Sequence, residues 1–319
     1  MPALPSLRQL SYLVALAETL NFTKAAQQRF VTQSTLSGGI QELERLLGAT
    51  LVERDRQQVR FTELGLEVVE RARALLAQAG DLALHVSRSA GPYCALVKLG
   101  AIPTLAPYVL PPLMRAARTQ MPELRIALRE DRTSDLLTEV HKANLDFALI
   151  ALPFETPGLL VEPLFDEELW LIGASDDPAT RDARPTIDAI DPARLLLLSE
   201  GHCLRDHVLQ GCRLTDPQPD IEATSLTTLA QMVEAGMGIS IIPEMAIRGG
   251  LVKGMAVTAR PLAAPAPRRA VALVARPSSA RLEVFEALAV IARGLAVTSA
   301  RARVQAAGTK GAKASKTVG

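Results

Sequence analysis

The sequence predicts an α/β protein in three parts: a winged helix-turn-helix head over residues 1–61, a long linker helix over 62–91, and a two-lobed α/β regulatory domain over 92–299. Three observations predict it. Three short helical periods broken by a tight turn open the chain, a continuous apolar seam follows, and beyond Gly91-Pro92 strand-like runs alternate with amphipathic helical ones.

In the head, Leu10, Leu13, Val14 and Ala17 lie at helical spacing over Leu7 to Thr19. A short alanine-rich helix runs from about Thr23 to Arg29, with Thr23 placed to cap it. Phe30-Val31-Thr32 reads as a turn, and a third helix runs from Gln33 to Leu47 behind a Thr32 or Ser34 cap. The exposed start of the last helix in such a motif reaches base edges, so Gln33, Ser34, Thr35 and Ser37 are the candidate DNA-reading residues. Two alternating runs, Leu51 to Arg56 and Gln58 to Thr62, make a wing whose Arg54, Arg56 and Arg60 suit phosphate or minor-groove contact.

From Thr62, Val68, Ala72, Leu75, Ala79, Leu82 and Val86 recur at steps of four and three, the seam of a dimerising helix. Gly91-Pro92 ends it. The regulatory part then predicts strands at Val97–Ile102, Leu124–Arg129, Phe147–Ala151, Glu168–Ile172, Leu195–Leu198, Ile239–Ile242 and Ala270–Val274. Helices at Pro107–Gln120, Ser134–Lys142, Ser225–Ala235 and Ser279–Arg293 alternate with them, which argues for a mostly parallel sheet folded as two small lobes around a cleft.

Composition narrows the function classes. No apolar stretch approaches the roughly 18 residues of a membrane span, and the N-terminus lacks the regions of a signal peptide. A cytoplasmic location without a membrane partner is expected. Three cysteines are too few for a disulfide scaffold, and any disulfide among them should be transient. The net charge of +1 hides an uneven distribution: residues 92–299 carry twenty bases against twenty-five acids, while the tail 300–319 has five bases and no acid. That tail reads as disordered and basic.

The most informative run is Gly201-His202-Cys203-Leu204-Arg205-Asp206-His207-Val208-Leu209-Gln210-Gly211-Cys212. His202 and Arg205 beside Cys203 are expected to favour its thiolate, the nucleophilic form. If the run is helical, nine residues set the two Cα atoms on the order of 13 Å apart on opposite faces. A disulfide tolerates at most about 7 Å, so bonding would require unwinding. A zinc site of His202, Cys203, His207 and Cys212 has suitable residue types, but adjacent His-Cys ligands chelate poorly and no C-x-x-C pair is present. No metal or cofactor is expected. Cys94 reads as a buried small hydrophobe.

The whole chain to about residue 298 resembles the LysR-type transcriptional regulators. The residues that carry this are Tyr12 to Glu18, Phe22-Thr23-Lys24-Ala25-Ala26, Thr32 to Ser37, and Leu51-Val52-Glu53-Arg54 with Phe61-Thr62. Within that family, Gly201 to Cys212 with Ile102-Pro103-Thr104 and Phe165-Asp166-Glu167 is similar to the OxyR-type peroxide sensors. The resemblance implies a regulatory domain of periplasmic-binding-protein type and a homo-oligomer, dimer or dimer of dimers, on double-stranded promoter DNA, with RNA polymerase as a further partner. It implies Cys203 as the cysteine oxidised by hydrogen peroxide and Cys212 as its resolving partner, with Thr104, Thr133, His202 and Arg269 lining the peroxide pocket. Gln33 and Ser37 would read or position DNA, and Arg54 would contact its backbone. Two rivals remain open. One is a LysR-type regulator answering to a small organic acid near the helix opening at Ser225; the other is a thiol peroxidase, for which a DNA-binding head has no use.

Overall fold

A computed structural model describes residues 4–54, 59–87, 96–213 and 222–295. Arg56, Gly91-Pro92, Cys94 and the 300–319 tail lie outside the described residues, as do the side chains of Arg54 and Val86. The chain divides into two units, residues 1–90 and most of the remainder.

The first unit holds α1 (Leu7–Thr19), α2 (Phe22–Gln28), α3 (Gln33–Leu47), β1 (Val52–Arg54), β2 (Val59–Phe61) and α4 (Glu63–Ser87). Ser6 and Gln9 form a reciprocal capping box at α1, satisfying two N–H groups that the helix itself leaves unpaired. The cap of α2 is Asn21 and not Thr23: its side chain accepts from the Lys24 N–H, leaving Thr23 inside the helix, where its hydroxyl donates to Gln33 Oε1 at 3.0 Å. Thr32 caps α3. In the middle of α3, Gly39 is required by packing, because a Cβ there would stand 2.7 Å from the Tyr12 ring of α1. The bare backbone lets the two helices close over Leu13, Leu16, Leu36 and Ile40, all fully buried.

The predicted seam of α4 divides. Ala72 is buried in the core of the head, beside Val69 and with Val68 and Leu76 packed against it, so the first half of the helix serves its own unit. Leu75 and Leu82 are 49% and 66% exposed.

The second unit is two lobes joined by strands they share. The first lobe contains β3 (Leu96–Ala101), α5 (Ala106–Gln120), β4 (Arg125–Glu130), α6 (Thr133–His141), β5 (Phe147–Leu152) and a closing helix α10 over 282–295. β6 (Leu160–Ala174) then runs from one lobe into the other. Its first half pairs with β11 (Arg268–Ala275), and its second half with β9 (Ser240–Pro243) and β10 (Val257–Pro261). The second lobe adds β7 (Leu197–Leu198), α7 (Cys203–Gly211), β8 (Glu222–Ala223), α8 (Leu226–Glu234) and α9 (Glu244–Arg248). Each lobe has its own apolar core, one around Leu99, Phe147 and Ile150, the other around Leu171, Leu229 and Ile241.

The expectation of a mostly parallel sheet is corrected. Among the described strands, only β3 with β4, β3 with β5, and β7 with β8 run parallel; every pairing of β6 and β11 is antiparallel. The cause is the crossing between lobes: β6 leaves the first lobe as a continuous strand, and β11 returns along it in the opposite sense. The apolar run Leu195–Leu198 yields only a two-residue strand, with Leu195 bridging to Ile239.

Candidate functional site

The candidate DNA-reading residues lie at the start of α3. Gln33, Ser34 and Thr35 are exposed at the start of α3, whereas Ser37 is half-buried. Thr32 is hydrogen-bonded to both Ser34 and Thr35, so the hydroxyls are ordered by the cap. Phe30, in the turn before α3, is 95% exposed with φ +55°. Arg60 of the wing is also exposed.

The thiol site is built by four elements of the second unit. Cys203 is the first residue of α7. Thr104 comes from the segment between β3 and α5, Thr133 opens α6, and Arg269 lies on β11. All four are buried. Arg269 donates from Nη1 to the Thr104 hydroxyl at 2.9 Å and from Nε to Glu167 at 2.9 Å. Glu167 stands directly across the β11–β6 pair from Arg269, and its other oxygen accepts the Met245 N–H of α9 at 2.8 Å. A buried β6 carboxylate, held by an N–H of the first turn of α9, thus fixes the guanidinium that holds the first lobe's Thr104. A buried ion pair of this kind is tolerable only because its remaining donors and acceptors are also satisfied.

Gly201, with φ +85°, lets the chain enter α7 under Arg132, whose guanidinium would stand 2.8 Å from a Cβ at that position. That arginine, together with burial, holds the His202 imidazole below its ordinary pKa, burial being the larger cause. His202 is therefore the buried, neutral residue before α7. Arg205 is turned away as well, donating to the Leu198 carbonyl at 3.1 Å. The expected source of positive charge at Cys203 is accordingly corrected: the cation acting on it is Arg269, 66 residues later in the chain.

The balance at the sulfur is also different from the expectation. Burial pushes the Cys203 thiol up from its ordinary value, and Asp206 adds to the rise; Arg269, the Thr133 hydroxyl and the backbone N–H at the start of α7 pull it back down. Desolvation outweighs the cation, so the balance lies above the ordinary thiol value. The Thr133 hydroxyl faces the Cys203 thiol, and among the described residues its buried oxygen makes no other hydrogen bond.

Cys212 follows the last residue of α7 and is a buried free thiol, pushed up to about 11 by burial. α7 separates the two sulfurs by its length and by its faces. Cys203 packs in the core of the first lobe and Cys212 in that of the second. Nine residues of helix place their Cα atoms about 13 Å apart, beyond disulfide reach. Among the described residues no three His, Cys, Asp or Glu side chains gather as a metal site. No helix there is long and apolar enough to cross a membrane.

Two residues at this site were not assigned a role from sequence. Glu167 was visible only as part of a family motif, since its partnership with Arg269 depends on strand register. His207 lies four residues after Cys203, a spacing that puts both on one helix face; it was weighed only as a zinc ligand.

Comparison with known proteins places this architecture. Residues 7–66 match the bacterial regulatory helix-turn-helix protein, lysR family, and residues 90–295 match the LysR substrate binding domain. The chain belongs to the LysR family. It is a DNA-binding transcriptional regulator of a family that is not one of enzymes, and it is related to the OxyR peroxide sensors. It is 44% identical over 300 residues to the HTH-type transcriptional regulator EstR of Acinetobacter baylyi, covering 93% of this chain and 99% of that protein. With the DNA-binding transcriptional dual regulator OxyR of Escherichia coli the identity is 38% over 292 residues, covering 89% and 93%. Among solved structures, a cysteine-to-aspartate variant of full-length OxyR from Pseudomonas aeruginosa matches at TM-score 0.74 and 34% identity, covering 91% of this LysR-family chain and 95% of that one. A hydrogen-peroxide-bound variant of Corynebacterium glutamicum OxyR matches at TM-score 0.64 and 32% identity, covering 97% of each.

Proposed function

We propose that this LysR-family regulator senses hydrogen peroxide through Cys203 and Cys212 and controls oxidative-stress genes. The observation that carries the reading is the setting of Cys203: a thiol at a helix N-terminus, in the field of Arg269 and facing the Thr133 hydroxyl, with a second free thiol at the far end of the same helix. Peroxide enters next to Thr104 and Thr133, whose hydroxyls orient its oxygens. The Cys203 sulfur gives up its proton and attacks one oxygen, the O–O bond breaks, and the leaving oxygen takes a proton to depart as water. Arg269 stabilises the charge that develops on both sulfur and leaving oxygen. His202, at the N-cap position of α7 with no side-chain cap bond, lines the same pocket.

The sulfenic acid is then attacked by Cys212, releasing a second water and forming the disulfide. Because α7 holds the two sulfurs apart, closure unwinds the helix and withdraws Cys203 from the first lobe's core and Cys212 from the second's. The protein works as a homo-oligomer, dimer or dimer of dimers, joined through the open half of the α4 seam at Leu75 and Leu82. Repacking of its regulatory domains changes the spacing of paired α3 helices on double-stranded promoter DNA, where Gln33, Ser34, Thr35, Ser37 and Arg54 make the contacts and RNA polymerase is the partner recruited. Its place of action is the cytoplasm. Replacing Cys203 with serine and following peroxide-dependent transcription tests this: loss of the response is expected, and an unaltered response overturns it.

A second reading is favoured by one observation. EstR, a LysR-type regulator of a different name from the peroxide sensors, is 44% identical to this chain over 300 residues. In that reading a small carboxylate binds at the start of α8, where Ser225 already caps the helix through the Thr228 N–H at 3.2 Å. An unaltered peroxide response in Cys203→Ser, combined with carboxylate-dependent transcription, would select it.

A further inference from the structure

Phe30 closes α2 in a setting made for glycine. Its N–H donates to the Gln27 carbonyl at 3.2 Å, and the Val31 N–H donates to the Ala26 carbonyl at 3.0 Å. These are the two bonds of a Schellman cap, with Phe30 as the residue just past the cap, Arg29. That residue must be left-handed, and Phe30 is, at φ +55°. Glycine adopts this backbone without steric cost, whereas a bulky side chain is strained there. Packing does not offset the strain. Val31 packs against the core of the head, but the Phe30 ring is 95% exposed, the most exposed large apolar side chain among the described residues. A ring that breaks the local backbone rule and buries nothing within its own unit marks a functional position.

The place of Phe30 in the head says what covers it. Gln33, Ser34 and Thr35 are exposed at the start of α3, and three residues of chain set the Phe30 and Gln33 Cα atoms at most about 11 Å apart. The major groove is about 12 Å wide, so a duplex seated on these α3 residues comes within reach of the ring. The ring has no hydrogen-bonding atom, and the thymine C5-methyl is the apolar group that base edges present in that groove.

We infer that Phe30 is a specificity-determining residue of the DNA-binding head, reading a thymine by packing its ring on the C5-methyl group. The inference is independent of peroxide sensing and rests on α3 as the reading helix. Covering one methyl group changes affinity about fourfold for each half-site. The strained cap is thereby explained: the left-handed residue holds the ring out from the head, beside α3, where a glycine would leave the methyl uncovered.

The test uses the full chain and binding sites selected from a randomised duplex library by the parent, by Phe30→Gly and by Gln33→Ala. Affinity is then read by fluorescence anisotropy on the duplex the parent selects and on copies in which each thymine in turn is replaced by deoxyuridine, which lacks only the methyl. The parent is expected to lose about fourfold at one thymine per half-site. Phe30→Gly is expected to bind the unmodified duplex about fourfold more weakly per half-site and to ignore deoxyuridine at that thymine, with no fall in melting temperature, because glycine suits the cap. Should it melt lower, Phe30→Asn, which also suits a left-handed cap, takes its place. Unchanged affinity in the variant, or a loss that leaves the parent's deoxyuridine sensitivity intact, overturns the inference. So does a shift toward the monomer in sedimentation without DNA, which would make Phe30 a contact between copies of the chain. A Gln33→Ala variant that selects the same sites as the parent would instead overturn α3 as the reading helix.

Discussion

Arg269→Met is the most instructive perturbation, because its cost follows from geometry. The guanidinium is fully buried, pairs with Glu167 at 2.8 Å and donates to Thr104 at 2.9 Å. Removing it leaves the Glu167 carboxylate, also buried, with an uncompensated charge and, among the described residues, the Met245 N–H as its remaining hydrogen-bond donor. Breaking one side of such a pair costs about 3–5 kcal/mol, and the stranded Thr104 hydroxyl adds about 1 kcal/mol. Glu167→Gln in the same chain removes the stranded charge while keeping an acceptor for Met245, so the double variant should recover about half or more of the loss. The single tryptophan, Trp170, lies on β6 three residues from Glu167 and reports urea unfolding of this unit by fluorescence. A loss below about 1 kcal/mol for Arg269→Met, or costs that simply add in the double variant, would refute the idea that the pair carries the link between lobes.

Three further outcomes are expected. His207, held at about 4 when folded against 6.5 when exposed, has a depressed folded pKa, so its contribution to stability is complete above about pH 6.5 and is lost as pH falls toward 4. The loss amounts to about 2–3 kcal/mol; urea titrations from pH 7 to 4.5 should show it, and His207→Gln should flatten that part of the curve. Gly39→Leu, which drives a side chain into the Tyr12 ring, should destabilise the head by about 1–3 kcal/mol in thermal melts, whereas Gly38→Ala, with open space around it, should gain up to about 1 kcal/mol. Leu82→Glu, at an exposed position of α4, should leave the fold of one chain unchanged and shift sedimentation toward the monomer; an unchanged oligomer would move the interface elsewhere.

Much of the fold was legible because local patterns agreed with the global arrangement. The head helices appear where periodicity put them, and the LysR resemblance agrees with the family matches over both parts of the chain. What escaped was set by long-range contact. The first half of β6 was hidden by Pro163, which normally argues against a strand; here it sits at a register shift opposite Ala272, where a missing N–H is tolerated. Burial decided the acidity of Cys203, and burial cannot be read from its neighbours: His202 and Arg205 suggested a ready thiolate, yet the first is neutral and the second is spent on a carbonyl. The nearness of Cys203, Thr104, Thr133 and Arg269 came only from family resemblance, since four different elements deliver them. His207 stands in plain view in the sequence, but the burial that holds its imidazole down to about 4 belongs to the folded state alone.

The central claim is that α7 must come apart for Cys203 and Cys212 to join. Hydrogen exchange read by mass spectrometry, with the same digest scored for a Cys203–Cys212 linked peptide before and after one equivalent of hydrogen peroxide, tests it directly. The account predicts that the linked peptide appears together with loss of amide protection across residues 203–211. A linked peptide with α7 still protected, or two free thiols while transcription responds, would contradict it.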